Sequence, residues 1–425
     1  MRTLLVAVTV GLFSAAATAA QAPDSVRARA RADSLARARA DSIRLVRELE
    51  AMGRQDTTRS VLPGQVRPTG STNPRLLPDF SAVGDLIGDF SPKGSTQEDG
   101  GRFSVREVEL AVQAAVDPFF RGDVFLGISD VEKISIEQAF LTATALPWRL
   151  EARLGRFLMP VGKQNTTHRH DLHTVEHAYV VQRFLGEEGL KGTGVYLARV
   201  FAPFGFYQEV ILTAVDRFGE APEDLVAEES PNKKLSGLGY SARLRNYWDF
   251  SQSTNLELSA SAMTGRREQP LTVSLGEVNA ALARQSVVGL DLTYRWRPLQ
   301  QGLYRSFLLQ GELMKQFNHG KVLLPQGVDP ADYAGPARDF TGAYLFARYQ
   351  VTQRGFLGGR FDWVQDPEAD GARLLAGTIL HEFFPSEFSK LVVAFERRSL
   401  QGAGGTTRLL LQASFAVGPH KPHPF

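Results

Sequence analysis

The chain has 425 residues, 43% of them hydrophobic, with 39 Gly, no Cys and a formal net charge of +2. Without a thiol there is no disulfide, no Cys-based metal site and no Cys nucleophile, and the near-neutral balance argues against a nucleic-acid partner. Beyond the first residues no segment approaches the ~20 continuous apolar residues that a membrane helix needs.

In chain order, residues 1–22 (MRTLLVAVTVGLFSAAATAAQA) read as a cleaved secretory signal, with a basic start at Arg2, an apolar stretch and a small-residue end cut after Ala20 or Ala22. Residues 23–52 are rich in Ala and Arg, which favour helix, and Val26, Leu35, Ile43, Val46, Leu49 and Met52 form a partial apolar stripe. We expect a short periplasmic helix there, which as a coiled coil would help to oligomerise the chain. Residues 53–78 have the Gly, Pro, Ser and Thr content of a flexible linker.

From Asp79 to Phe425 the pattern changes to period two. In SVVGLDLTYRWRP, Val288, Leu290, Leu292, Tyr294 and Trp296 alternate with Gly289, Asp291, Thr293, Arg295 and Arg297. A strand places these sets on opposite faces. The same alternation runs through Glu107 to Gln113, with Arg106 out of step, and through NLELSASAM, KLVVAFERR and RLLLQASFAV. About sixteen such segments begin near residues 80, 102, 119, 133, 148, 189, 204, 235, 253, 285, 303, 340, 354, 372, 387 and 406. They are long enough to cross a bilayer when tilted, and longer than typical sandwich strands.

The connections alternate between short turns (VDPFF, ALPW, FAPFG, WDFSQS, RPLQQG, VTQRG, FPSE) and long ones at 91–101, 158–188, 217–233, 266–284 and 320–339; those near 130, 366 and 402 are short. Trp148, Trp248 and Trp296 cluster at the short turns with Phe119, Phe120, Tyr247 and Tyr294, as at a membrane interface. The expected fold is all-β, a transmembrane antiparallel barrel of about 16 strands in the outer-membrane lipid, preceded by the periplasmic helix. The alternation places Arg121, Arg149, Glu151, Arg153, Arg243, Arg245, Asp291, Arg295, Arg297, Glu312, Arg360 and Arg408 on the lumen side, where the signs of all the charges assigned balance.

The stretch EQAFLTATALPWRLEARLGRFLMPVGKQNTTHRHD, with FLGEEGLKGTGVYL after it, resembles the porins of the phosphate-selective O/P type. The matching positions are Leu146-Pro147 in a turn, Gly155-Arg156-Phe157 in a strand and Gly162-Lys163-Gln164-Asn165 opening a long loop. The His-rich continuation and the GPHKPHPF terminus are similar to a branch sometimes labelled zinc-regulated or TonB-dependent. The resemblance covers about residues 79–425. It implies a water-filled outer-membrane channel, often trimeric, for passive diffusion of small solutes or ions. It also implies that the loop at 158–188 folds into the barrel and narrows it, and that the final aromatic, Phe425, serves assembly. Stacked lumen Arg and Lys go with phosphate selectivity in that family, and the balanced charges here depart from this.

The expected constriction is Lys163, Asn165, His168, Arg169, His170, Asp171, His173, Glu176 and His177. Neutral imidazoles ligate Zn2+, so His168, His170, His173 and His177 are candidates for weak Zn2+ binding with no resident cofactor. His173 and His177 would share a face if that part is helical, and protonation near pH 6.5 would add positive charge. The spacing matches no established catalytic arrangement, and no nucleophile, base and orienting group can be named, so no catalytic residue is expected and the chain reads as a non-enzyme. Two rival readings stay open: a metal-uptake or TonB-dependent-like transporter, for which about 55 residues before the barrel are too few to form a plug, and a barrel hydrolase.

Overall fold

A computed structural model describes residues 78–97, 100–129, 133–219, 235–273, 276–323, 339–369 and 371–418. The expected signal, helix and all but the last residue of the linker lie outside the described residues, as do His420, His423 and Phe425.

Sixteen strands close into one antiparallel barrel. They are β1 (Asp79–Asp89), β2 (Phe103–Ala115), β3 (Phe120–Ser129), β4 (Lys133–Ala143), β5 (Leu150–Leu158), β6 (Lys191–Phe201), β7 (Tyr207–Phe218) and β8 (Gly239–Ser251). The second half is β9 (Thr254–Val273), β10 (Gly276–Trp296), β11 (Phe307–Leu323), β12 (Phe340–Gln350), β13 (Gly355–Asp366), β14 (Ala372–Ser386), β15 (Ser389–Leu400) and β16 (Gly404–Val417). Closure is made by β1 and β16, in register from Ala82 opposite Val417 to Asp89 opposite Leu410.

The two faces are inverted relative to a water-soluble protein. On β10, Val288 and Leu290 are exposed on the outside while Asp291 and Thr293 are buried inside. Outward Leu313, Leu345, Leu357, Ile379 and Val393 and inward Glu312, Arg348, Arg360, Glu382 and Glu396 repeat the pattern around the wall. An apolar exterior and a polar interior is the arrangement of a barrel whose solvent outside is lipid.

Arg106, which breaks the alternation on β2, is a bulge residue. Asp85 pairs with Glu107 and Leu86 with Val105, so Arg106 is the extra residue between them. The bulge turns its guanidinium inward, where Nε donates to Asp85 Oδ2 at 2.9 Å.

One expected loop is a ribbon instead. Residues 266–284 were expected as a long connection, yet β9 runs to Val273 and β10 begins at Gly276, paired from Val273 opposite Gly276 down to Thr254 opposite Trp296. The aromatics do gather at the short-turn end, where Phe206 and Trp248 lie 4.8 Å apart and Trp148 and Phe204 are exposed.

Leu290 stands six residues before Trp296, the last residue of β10. At ~3.3 Å per residue and a ~40° tilt this places it about 15 Å above the aromatic end, near mid-bilayer. Leu290→Arg should therefore lower folding stability in phospholipid vesicles by about 2–4 kcal/mol, measured by reversible guanidinium titration; an unchanged midpoint would mean that this face does not meet lipid.

Candidate functional site

The connection between β5 and β6, residues 159–190, lies inside the barrel, because its partners are the inward side chains of the wall. Asn165 closes its base. Its Nδ2 donates to the carbonyls of Met159 (2.7 Å) and Leu190 (3.1 Å), and its Oδ1 accepts the Leu190 N–H (2.6 Å).

Gly162 lets the chain pass against the wall of β8, β9 and β11. Its φ is +68°, and a Cβ there would stand 2.2 Å from Glu312 Oε2, so a larger residue fails on both conformation and space. Its N–H donates to Ser261 Oγ (3.1 Å) and its carbonyl accepts from Arg243 (2.5 Å). Glu312 accepts the N–H groups of Lys163 (2.9 Å) and Gln164 (2.8 Å), while Lys163 Nζ reaches Glu257 at 2.9 Å.

The histidines then part company. Two short 3-10 turns, Gln164–Thr166 and Arg169–Asp171, carry His168 and His170 to the opposite wall at β2. His168 Nδ1 is 2.6 Å from Glu109 Oε2 and its Nε2 is 2.8 Å from the Gln138 amide. Ligand-capable atoms of Glu109, His168 and His170 all lie within 4.8 Å of one another. His173 is elsewhere, accepting from Arg348 at 2.7 Å with Glu382 at 3.6 Å, and His177 Nδ1 faces the Glu187 carbonyl at 3.1 Å. Nor do His173 and His177 share a helix face, since the one α-helix of the loop, α1 (Tyr179–Leu185), begins after both.

The remaining expected residues hold the loop. Glu176 receives Arg408 at 2.8 and 2.6 Å, and Arg360 donates to the Glu176 carbonyl at 2.8 Å. Arg169 pairs with Glu188 at 3.4 Å, and Asp171 Oδ1 is 3.7 Å from His170 Nε2. Lys390, from β15, donates to the carbonyls of His170 (2.5 Å) and Leu172 (2.8 Å). Tyr179 donates its N–H to Asp362 (2.9 Å) and its hydroxyl to Glu396 (2.7 Å), and the apolar face of α1 packs on β12 and β13.

Most lumen charges are paired: Arg121 with Asp123, Arg153 with Glu151, Arg243 with Asp291, Arg245 with Glu209 and Glu257, Arg295 with Glu257 at 4.0 Å, and Arg360 with Asp362. Arg149 and Arg297, expected on lumen strands, stand in the turns preceding β5 and following β10. Arg149 is exposed with φ +58°, and Arg297 donates to the Gly302 carbonyl. The sequence reading missed Glu109, Gln138, Arg348 and Lys390 as partners of the loop; alternation marks such residues as inward but not as neighbours of a segment far along the chain.

Electrostatics separate the histidines further. Burial, and next Asp171 working against it, leave His170 depressed to about 4. Burial and then Arg169 hold His177 at about 4, and burial and Arg348 lower His173. Burial also opposes charge on His168, but the Glu109 hydrogen bond outweighs it and the pKa is raised. Glu176, despite burial, is pulled to about 2 by Arg408. The four imidazoles therefore do not charge together near pH 6.5. Over the loop, at the end of the barrel from which it descends, lies a cavity of about 1180 Å3 lined by β2 to β7, β9, β15, β16 and the loop itself; eight of its lining residues are Arg or Lys and four are Glu.

No protein-family model matches the chain. An uncharacterised protein of Aquifex aeolicus is 26% identical over 351 residues, covering 76% of this chain and 70% of that protein. Among solved structures, an anion-selective porin from Comamonas acidovorans aligns with a TM-score of 0.52 and 11% identity, over 80% of this chain and 99% of that one. A trimer form of OmpT, an outer-membrane protein of Vibrio cholerae, aligns at 0.51 and 8% over 80% and 99%. Salmonella typhi OmpF in complex with daunomycin aligns at 0.50 and 10% over 81% and 99%. The fold is that of the outer-membrane porin barrels.

Two outcomes follow for the loop. Gly162→Ala should loosen its root, by about 1–3 kcal/mol for the strained conformation, seen as faster hydrogen exchange across 159–190 with the strands still protected; unchanged exchange would mean that the φ and the approach to Glu312 do not matter. For His177 the folded value of about 4 lies below the ordinary 6.5. Between those pH values the opened loop binds a proton that the closed loop refuses, so closure weakens as pH falls through this window, by ~3 kcal/mol at most. His177→Asn, which keeps a donor for the Glu187 carbonyl, should make that pH dependence of exchange shallower, leaving the part due to His170; an equally steep profile in the variant would place its origin elsewhere.

Proposed function

We propose that this protein is an outer-membrane porin, a water-filled channel through which small solutes or ions diffuse passively, and that residues 159–190 form its constriction. The observation that carries the reading is the crossing of the lumen by one loop bound to the inner faces of β2, β8, β9, β11 to β13, β15 and β16. A barrel this wide, left unfilled, would pass solutes with little discrimination. The 1180 Å3 cavity is the vestibule over this loop, at the end of the barrel from which it descends.

The balance of signs over the whole lumen does not hold locally. Along the cavity, basic residues outnumber acidic ones by eight to four, and an excess of one sign in a low-dielectric cavity raises the local concentration of the opposite ion. Small anions are therefore the favoured solutes, in keeping with the anion selectivity of the Comamonas porin. The more specific likeness to the phosphate-selective O/P type rests on the quoted motifs, and a homotrimer is the expected assembly by analogy with the trimer form of OmpT. Most polar groups of the loop are taken up by the wall or by the loop itself, which favours a channel over an enzyme.

Planar-bilayer recording tests the reading. The protein should give discrete conductance steps, with a reversal potential under a KCl gradient that favours chloride. The preference should be larger near 0.1 M than near 1 M salt, because the Debye length falls from about 10 Å to about 3 Å. A protein that inserts, folded, and never conducts would sink the porin reading.

A further inference from the structure

The turn at residues 168–170 brings two imidazoles against a carboxylate from a strand some sixty residues earlier in the chain. Glu109 and His170 are 3% and 2% exposed, so this is a built cluster and not a solvated tract of histidines. His168 Nδ1 is 2.6 Å from Glu109 Oε2, and the His168 and His170 rings lie 5.5 Å apart with a 31° angle between their planes. The Gln138 amide nitrogen faces His168 Nε2 at 2.8 Å, so an ion on Nδ1 moves the imidazole proton to Nε2 and requires the amide to turn its oxygen there; Phe125 sits against the ring at 5.3 Å. Both fix its orientation, as the surroundings of metal-ligating imidazoles commonly do.

We propose that Glu109, His168 and His170 form a three-ligand site for a divalent transition metal of the Zn2+ class, which fastens the loop to β2. Two imidazoles and one carboxylate suit Zn2+, whereas Mg2+ and Ca2+ take oxygen ligands in larger number. At a tetrahedral ion with bonds of about 2.0–2.1 Å, adjacent ligand atoms stand about 3.3 Å apart. The ligand atoms here lie within 4.8 Å of one another, with His168 Nδ1 and Glu109 Oε2 2.6 Å apart, so side-chain movements of about an ångström bring them to an ion. The ion takes the place of the proton between His168 and Glu109 and leaves a fourth position for water or a solute group. His173 and His177 have no part in it, since they face Arg348 with Glu382 and the Glu187 carbonyl respectively. The site stands on the geometry of the barrel interior and does not depend on conduction.

Folded full-length protein in detergent micelles, titrated with ZnCl2 and separately with MgCl2 by calorimetry, provides the test. One Zn2+ per chain and no Mg2+ is expected, with zinc-edge X-ray absorption showing two imidazoles and oxygen. Glu109→Gln and His170→Asn should each weaken Zn2+ binding at least about tenfold, and His173→Asn should leave it unchanged. Heat-modifiable gel mobility checks that each variant is a folded barrel, and for a variant that is not, the absorption spectrum of the parent decides. A parent that binds no Zn2+, a spectrum without imidazole, or an equal loss in His173→Asn and His170→Asn overturns the site.

Discussion

The structure depends on closure of the sheet. Inside a bilayer no water is available for an unpaired backbone N–H or C=O, and each one left open costs several kcal/mol, so a sheet can cross only if its two edges meet. Here the pairing of β1 with β16 supplies the meeting. Once the sheet is closed, each strand has one face on lipid and one on an enclosed interior, and the inverted distribution of Leu290 against Asp291, or Leu313 against Glu312, follows. The barrel thereby acquires an interior crowded with charge, in which every group requires a partner.

That requirement explains how the loop is held. A segment with little helix or strand has backbone donors and acceptors that its own chain does not satisfy. The inner wall satisfies them: Ser261, Glu312 and Asp362 accept N–H groups, while Arg106, Arg243, Arg267, Arg360 and Lys390 donate to carbonyls. Arginine suits the task because one guanidinium can keep its ion pair and still reach a carbonyl, as Arg243 does with Asp291 and Gly162. Much of the position of the loop is therefore encoded in strand residues far from it in sequence. The paired charges of the lumen act as a scaffold.

This division also sets what could be read from the chain. Strand positions were legible because lipid on one side and the lumen on the other enforce alternation, and the expected and observed starts of β1, β4, β12 and β14 differ by at most one residue. The ribbon of β9 and β10 beyond about residue 266 was missed because a ribbon standing clear of the bilayer has no lipid face to impose the pattern. The out-of-step Arg106 was visible, but its bulge was not. The four histidines look like one cluster because only sequence distance was available. Two 3-10 turns and an extended stretch send them to three places, and the ligand that completes the pair at β2, Glu109, comes from another part of the chain.

The loop is not held in the same way all round the wall, and the reason lies in α1. Tyr179, Val180, Val181, Phe184 and Leu185 are buried, which a uniformly polar interior could not accommodate. The wall beneath them is correspondingly apolar, with Phe340 and Val364 inward and Gly342 so close that a Cβ would stand 2.7 Å from Val180. Burying apolar area at ~25 cal/mol per Å2 draws the helix to this side, while Glu176 and Tyr179 at its start are fixed by Arg408, Asp362 and Glu396. A small hydrophobic core thus occupies the β12 and β13 side of the barrel, while polar contacts such as those of His168 with Glu109 and Gln138 fill the β2 and β4 side. One loop is thus held by apolar packing on one side of the barrel and by charged and polar contacts on the other.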